Sequence, residues 1–167
     1  LEKPFARAGK VNLRLVAGEY RITGRPDDRI RVDWRTDRPD HAARVRADVR
    51  VEGTTAFVTT DGPKNSGLRF TIDLPSRTDL DVYLSAGDLD VRGLEGSKTI
   101  ESWAGDISVE VGRPEQYRTV EASVRAGDLR ARPFSKTTGG LFRSLKWSGA
   151  GTYALRVKLF AGDLTLE

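Results

Sequence analysis

A three-residue turn, alanine–glycine–acid, occurs five times in this chain, and the residues around it constrain the fold more tightly than any other feature. The copies align without gaps over residues 13–22, 82–91, 100–109, 122–131 and 157–166. With the alanine numbered zero, positions −4, −2, 0, +3 and +5 are apolar in every copy, Ser102 alone excepted. Before the glycine the apolar spacing has period two, as a half-buried strand requires; it slips by one residue across glycine–acid and then resumes. On a straight strand that slip would send every later side chain to the opposite face. The chain must therefore bend or bulge at the glycine to keep both halves on one core, and glycine tolerates the positive φ such a corner needs. The turn motif comprises Gly18 and Glu19, Gly87 and Asp88, Gly105 and Asp106, Gly127 and Asp128, and Gly162 and Asp163.

From Ala86 onward, successive motif alanines are 18, 22 and 35 residues apart. The first two intervals suit single turns of a β-solenoid, and the third suits a turn plus an insertion. Between Ala17 and Ala86 lie further alternating runs around Val32, Val49, Val58 and Ile72, with a hairpin connection at Glu52-Gly53-Thr54-Thr55 and Pro75 closing the last strand. No segment of useful length has helical period. The expected fold is all-β: a β-solenoid, like a parallel β-helix, with an irregular and partly antiparallel N-terminal portion. It forms one domain, with the irregular portion over 1–75, repeats over 76–134 and 152–167, and an inserted loop or cap over 135–151.

Composition narrows the chemistry. A chain of 167 residues is long enough to bury a core without crosslinks. There is no cysteine, which excludes disulfides, thiolate metal sites and cysteine nucleophiles. The single histidine, His41, lies in the turn-like Pro39-Asp40-His41-Ala42 and reads as a surface residue, leaving nothing from which to build a Ser-His-Asp triad. The net charge of +4 comes from interspersed signs, and arginines alternate with apolar residues from Arg44 to Val51 as on the outer face of a strand. Clustered basic residues interleaved with aromatics are missing, so no nucleic-acid partner is expected. No apolar run approaches the roughly 20 residues of a membrane span. A chain that begins at Leu1 and contains no methionine reads as a processed product, whose native signal or anchor lies outside this stretch.

The motif acids are the sharpest candidates for chemistry. Stacked turns would place Glu19, Asp88, Asp106, Asp128 and Asp163 in a column, a cation ladder or a source of paired carboxylates for glycoside cleavage. Against this, each turn offers one acid, Glu in one copy, where calcium-binding β-rolls supply an acid every nine residues with several glycines per repeat, and an Asp in a turn commonly accepts backbone N–H bonds of its own turn. The expectation is therefore a turn-forming role, with no metal, no cofactor and no catalytic residue.

The residue before each motif alanine points outward: Val16, Ser85, Trp103, Arg125 and Phe160. Trp103 and Phe160 are large apolar groups on that face, so they belong to a contact surface or lie under a cover. The segment 135–151 is the natural cover, with Leu141, Phe142, Arg143, Leu145, Lys146 and Trp147 between Gly139-Gly140 and Gly149-Ala150-Gly151. Leu141, Phe142 and Leu145 fit one helical turn and the glycines fit hinges. The segment is either an end cap, which a solenoid needs to hide open strand edges, or a basic-aromatic binding lip. Trp103, Phe160, Phe142, Arg143, Lys146 and Trp147 are the candidate surface-contact residues.

Several stretches resemble one family. Leu80-Asp81-Val82, the run from Ser85 through Ala86-Gly87-Asp88-Leu89-Asp90-Val91-Arg92-Gly93-Leu94-Glu95-Gly96, and Trp103-Ala104-Gly105-Asp106-Ile107-Ser108-Val109 resemble the repeats of the bacterial putative-adhesin domain of unknown function. The likeness covers most of the chain and is strongest over 68–131; residues 134–151 depart from it. It implies a right-handed β-solenoid on a protein of the cell envelope, in periplasm or at the cell surface, and brings no catalytic residues with it. The leading expectation is a non-catalytic, extracytoplasmic surface-contact or scaffold module, monomeric or weakly self-associating, meeting a protein or glycan surface. The alternatives are a self-assembling structural protein resembling bactofilin-type β-helix polymers and a small carbohydrate-active β-helix enzyme.

Overall fold

The computed structural model describes residues 1–138 and 141–167. Alternation of apolar and polar residues makes strands of nearly every segment. The N-terminal part holds β1 (Glu2–Pro4), β2 (Gly9–Leu15), β3 (Glu19–Arg25), β4 (Arg29–Arg35), β5 (Arg46–Glu52), β6 (Thr55–Asp61) and β7 (Arg69–Pro75). There follow β8 (Thr78–Leu84), β9 (Leu89–Arg92), β10 (Lys98–Ala104), β11 (Ile107–Val109), β12 (Tyr117–Ala126), β13 (Leu129–Ala131), β14 (Lys136–Thr138), β15 (Leu141–Ser148), β16 (Tyr153–Ala161) and β17 (Leu164–Leu166). Nine of them form one sheet in the order β1-β4-β7-β3-β9-β11-β17-β13-β14, and eight form a second in the order β15-β12-β16-β10-β8-β2-β6-β5. Both sheets are open and mix parallel with antiparallel pairs. Their inward residues merge into one hydrophobic cluster running from Val11, Leu13 and Ile22 to Val157, Leu164 and Leu166.

Each repeat crosses from the eight-stranded sheet to the nine-stranded sheet at its glycine: β2 to β3, β8 to β9, β10 to β11, β12 to β13 and β16 to β17. Positions −4, −2, +3 and +5 are buried in all five copies, Ser102 included. The motif alanine, expected in the core, instead lies at the corner, where its carbonyl accepts the glycine N–H of a neighbouring copy. These bonds run Gly18 to Ala86 at 3.1 Å, Gly87 to Ala104 at 2.9 Å, Gly105 to Ala161 at 3.0 Å and Gly162 to Ala126 at 2.9 Å. Gly105 has φ +119°, and a Cβ there would stand 2.0 Å from the Gly87 carbonyl oxygen. The position excludes any side chain on two independent grounds.

The copies 18 residues apart are neighbours as expected, β8/β9 beside β10/β11, with β2/β3 on their other side, whereas the copies 22 residues apart, β10/β11 and β12/β13, are not. The last does not follow in chain order: β16 and β17 run between β10/β11 and β12/β13, parallel to both. Segment 135–151 makes this possible. After a short 3-10 turn at Arg132–Phe134, β14 pairs antiparallel with β13 and β15 pairs antiparallel with β12. The chain then crosses the start of β12, Gly149 N–H bonding Arg118 O at 2.9 Å and Gly151 N–H bonding Tyr117 O at 3.1 Å. A Cβ at Gly151 would lie 2.2 Å from the Gln116 carbonyl carbon, so the crossing needs glycine. The expected helical turn of Leu141, Phe142 and Leu145 is thus a strand; the Gly139-Gly140 hinge lies outside the described residues. The N-terminal portion is partly antiparallel, through the β5–β6 hairpin and the β1–β4 and β4–β7 pairs.

Among the described residues, one charged side chain is fully buried. Lys98 is 1% exposed, and its Nζ donates to Gly96 O at 3.1 Å and to Tyr117 Oη at 3.0 Å, while Tyr117 donates to Val111 O. Burial pulls its ammonium from the ordinary 10.5 down to about 8, against the opposing pull of Asp79, Glu95 and Glu110. Burial likewise holds the Tyr117 hydroxyl up at about 12 and raises that of Tyr20.

Two predictions follow from this packing. Gly105→Ala should destabilise the protein by more than about 3 kcal/mol, since strain and backbone overlap combine. Gly53→Ala, at φ +61° with open space around it, should cost only about 1 kcal/mol; urea unfolding of both variants measures the contrast. Between pH 8 and 10 the unfolded Lys98 keeps its proton while the folded one has released it, so stability should rise with pH across that window. Above pH 10 it should fall, because unfolded tyrosines ionise before the buried Tyr20 and Tyr117. Lys98→Met should remove about 2 kcal/mol of that rise, read from unfolding free energies across the pH series.

Candidate functional site

The outer face of the eight-stranded sheet carries a row of large side chains at the position just before the corner. Strands about 4.8 Å apart bring equivalent residues of neighbouring copies side by side, so the row is set by register. Trp103 on β10 and Phe160 on β16 stack with ring centroids 4.3 Å apart and planes 4° from parallel. Arg125 on β12 continues the row, its guanidinium 5.4 Å from the Phe160 ring and 5.5 Å from the Phe142 ring of β15. The order across four strands is Phe142, Arg125, Phe160, Trp103. Beside it, Arg14 on β2 lies 5.6 Å over the ring of Tyr83 on β8.

This row does little for stability. Trp103 is 63% exposed and Phe142 71%. A stacked pair contributes about 0.5–1.5 kcal/mol beyond area burial, less than the roughly 1.5–3 kcal/mol gained by burying one such side chain fully. Phe142 also holds φ +54°, a left-handed conformation that costs a residue other than glycine about 1–3 kcal/mol. The unusual backbone turns both Leu141 and Phe142 to solvent. An exposed aromatic surface with a strained member is what a contact site looks like and what a core does not.

The structure brings together three of the six residues expected from sequence: Trp103, Phe160 and Phe142. The others diverge. Along β15 the side chains alternate, so Arg143, Leu145 and Trp147 turn toward the core. Trp147 is half-buried with its ring 5.0 Å from Phe134 and packs against the hydrophobic cluster. Arg143 is half-buried, with its Nε out of reach of any partner. Lys146 is exposed, four residues along β15 from Phe142. Sequence reading missed Tyr83, Glu101 and Lys158 beside the row and did not single out Arg125. Arg125 had a signal in its outward position before the motif alanine; Tyr83, Glu101 and Lys158 share a second outward position two residues earlier.

The motif acids form the expected column on the other sheet, but with a different bonding pattern. Three of the five carboxylates accept the amide of the next copy rather than of their own turn. Asp88 Oδ1 takes the Asp106 N–H at 3.2 Å, Asp106 Oδ1 takes that of Asp163 at 3.1 Å, and Asp163 Oδ1 takes that of Asp128 at 3.0 Å. Asp128 ends the column in an ion pair with Arg130 at 2.8 Å, and Glu19 ends it at the other side with Arg69 at 3.1 Å. The column borders an open groove of about 440 Å³ that also meets Arg21 and Arg35. Among the described residues, no group of three or more acids and histidines is placed to hold a metal ion. His41 is half-buried, its Nδ1 2.5 Å from the Ser66 hydroxyl.

No family model matches the chain, and no curated protein matches it in sequence. Among solved structures, a "putative cell adhesion protein" from Clostridium sporogenes is similar with a TM-score of 0.64 at 12% identity, over 99% of this chain and 97% of that one. At that identity the likeness is one of fold: an all-β, two-sheet architecture shared from end to end. No helix in the described residues is long and apolar enough to cross a membrane.

The amide-capped column makes a test of the acids' role. Asp106→Asn keeps an acceptor for the Asp163 amide and should lie within about 0.5 kcal/mol of wild type, whereas Asp106→Ala should cost about 1–2 kcal/mol in urea unfolding. Equal losses in both would show that charge rather than amide capping matters there.

Proposed function

We propose that this protein is a non-catalytic surface-contact module of the bacterial cell envelope, an adhesin-like β-solenoid variant whose working surface is the Phe142–Arg125–Phe160–Trp103 row. That exposed row is the observation that carries the reading. The parallel crossing of every repeat between two sheets supports a solenoid-type architecture, entered out of order by the last copy. The cell-adhesion description of the structural neighbour agrees with an extracytoplasmic location. A non-catalytic role is supported by how the ionisable groups are used. Lys98, Tyr20 and Tyr117, displaced furthest from their ordinary titration, sit in the core. The motif acids are held by amides and arginines. End strands that turn antiparallel, β15 and β14 at one end and β5 and β1 at the other, suit capped ends better than the complementary ends of a filament.

The double substitution Trp103→Ala/Phe160→Ala tests this. Sedimentation of the purified protein with bacterial envelope fractions should fall at least about tenfold in affinity, with the melting temperature within a few degrees of wild type. Undiminished sedimentation would place the working surface elsewhere.

A further inference from the structure

We propose that the partner of the aromatic row is an acidic polysaccharide, one of whose pyranose rings stacks on the open face of Trp103 while its anionic groups pair with Arg125 and Lys158. This deepens the surface-contact reading and rests on it. Phe160 covers only one face of the Trp103 indole, and Trp103 remains 63% exposed. On the other side, the register of β10 with β8 continues the row at Ser85, too small to cover the second face. A cleft of about 250 Å³ runs along the edge of the row, between it and the outward position two residues earlier on each strand, lined by Tyr83, Glu101, Trp103, Arg125, Lys158 and Phe160. A flat aromatic face beside serine and carboxylate groups matches a sugar ring, which offers axial C–H bonds to the ring and hydroxyls to its surroundings.

Charge gives the sign of the ligand. On the nine-stranded sheet most groove arginines are paired with acids, Arg69 with Asp37 and Glu19, Arg130 with Asp128 and Arg21 with Asp90, Arg35 being the exception. Among the residues that line the cleft, Arg125 and Lys158 have no ion pair among the described residues, against the single carboxylate Glu101. A guanidinium held between two aromatic rings is pre-positioned for pairing with an anion. A membrane surface would share that charge preference but not the polar centre of the cleft, since inserting it would strip water from Glu101 and Ser123.

Calorimetric titration with polygalacturonate, hyaluronate and dextran sulfate is the test, with dextran as the neutral control and phosphatidylglycerol-containing vesicles as the membrane control. At least one acidic polymer should bind, about tenfold or more tighter than dextran, and weaken as salt is raised. Ser85→Trp, which closes the indole face and removes no contact group, should weaken binding about tenfold, as should Arg125→Gln/Lys158→Gln, both with unchanged melting temperature. Equal binding of dextran, indifference to either variant, or binding to vesicles without any acidic polymer would each overturn the proposal. If no acidic polymer binds but envelope sedimentation still depends on Trp103 and Phe160, this inference falls and the surface-contact reading stands. If both fail, both fall.

Discussion

The hydrogen bond from a corner glycine to the alanine carbonyl of the neighbouring copy is the contact on which the other features rest. It requires two backbones to meet where no Cβ can stand, as the 2.0 Å approach at Gly105 shows. Because one such bond links each neighbouring pair of copies, the corners form a continuous rail. The rail sets the register of both sheets at once. Strand pairing in one sheet is thereby tied to pairing in the other, and the inward residues of every copy arrive at the same depth in the core.

The acids extend that rail. An aspartate carboxylate reaches the backbone N–H of the next copy's aspartate, satisfying a donor that the corner would otherwise leave open. Glu19 departs from this for a visible reason. Gly18 does not share the positive φ of the other four motif glycines, and the longer side chain of Glu19 turns instead to Arg69. The same register that stacks the acids on one sheet stacks Trp103, Phe160 and Arg125 on the other. A rigid aromatic row on the outside is therefore a by-product of how the inside is aligned, and a ligand meeting it would not have to order it first.

The corner and the core were readable in the sequence because they are local: a period of two, a one-residue slip and a glycine at the slip. Trp103 and Phe160 were readable for the same reason, since parity alone puts them outside. What escaped depends on contacts between distant parts of the chain. Nothing near Val157 says that β16 will enter between β10 and β12, because that order is set by β15 returning antiparallel and by the crossing at Gly149 and Gly151. In 141–147 a two-residue alternation, Arg143-Leu145-Trp147 against Phe142-Ser144-Lys146, competes with a helical spacing of Leu141, Phe142 and Leu145. Pairing with β12 settled it as a strand, and Trp147 joined the core instead of the contact surface.

Native-state hydrogen exchange at the corner glycines measures the rail directly. If the corner bonds hold the two sheets in register, the amides of Gly87, Gly105 and Gly162 open only with global unfolding, exchanging as slowly as those of Val82 and Ile100 in mid-strand. Exchange of these three glycines at the rates of surface turns, while the strand amides stay protected, would contradict it.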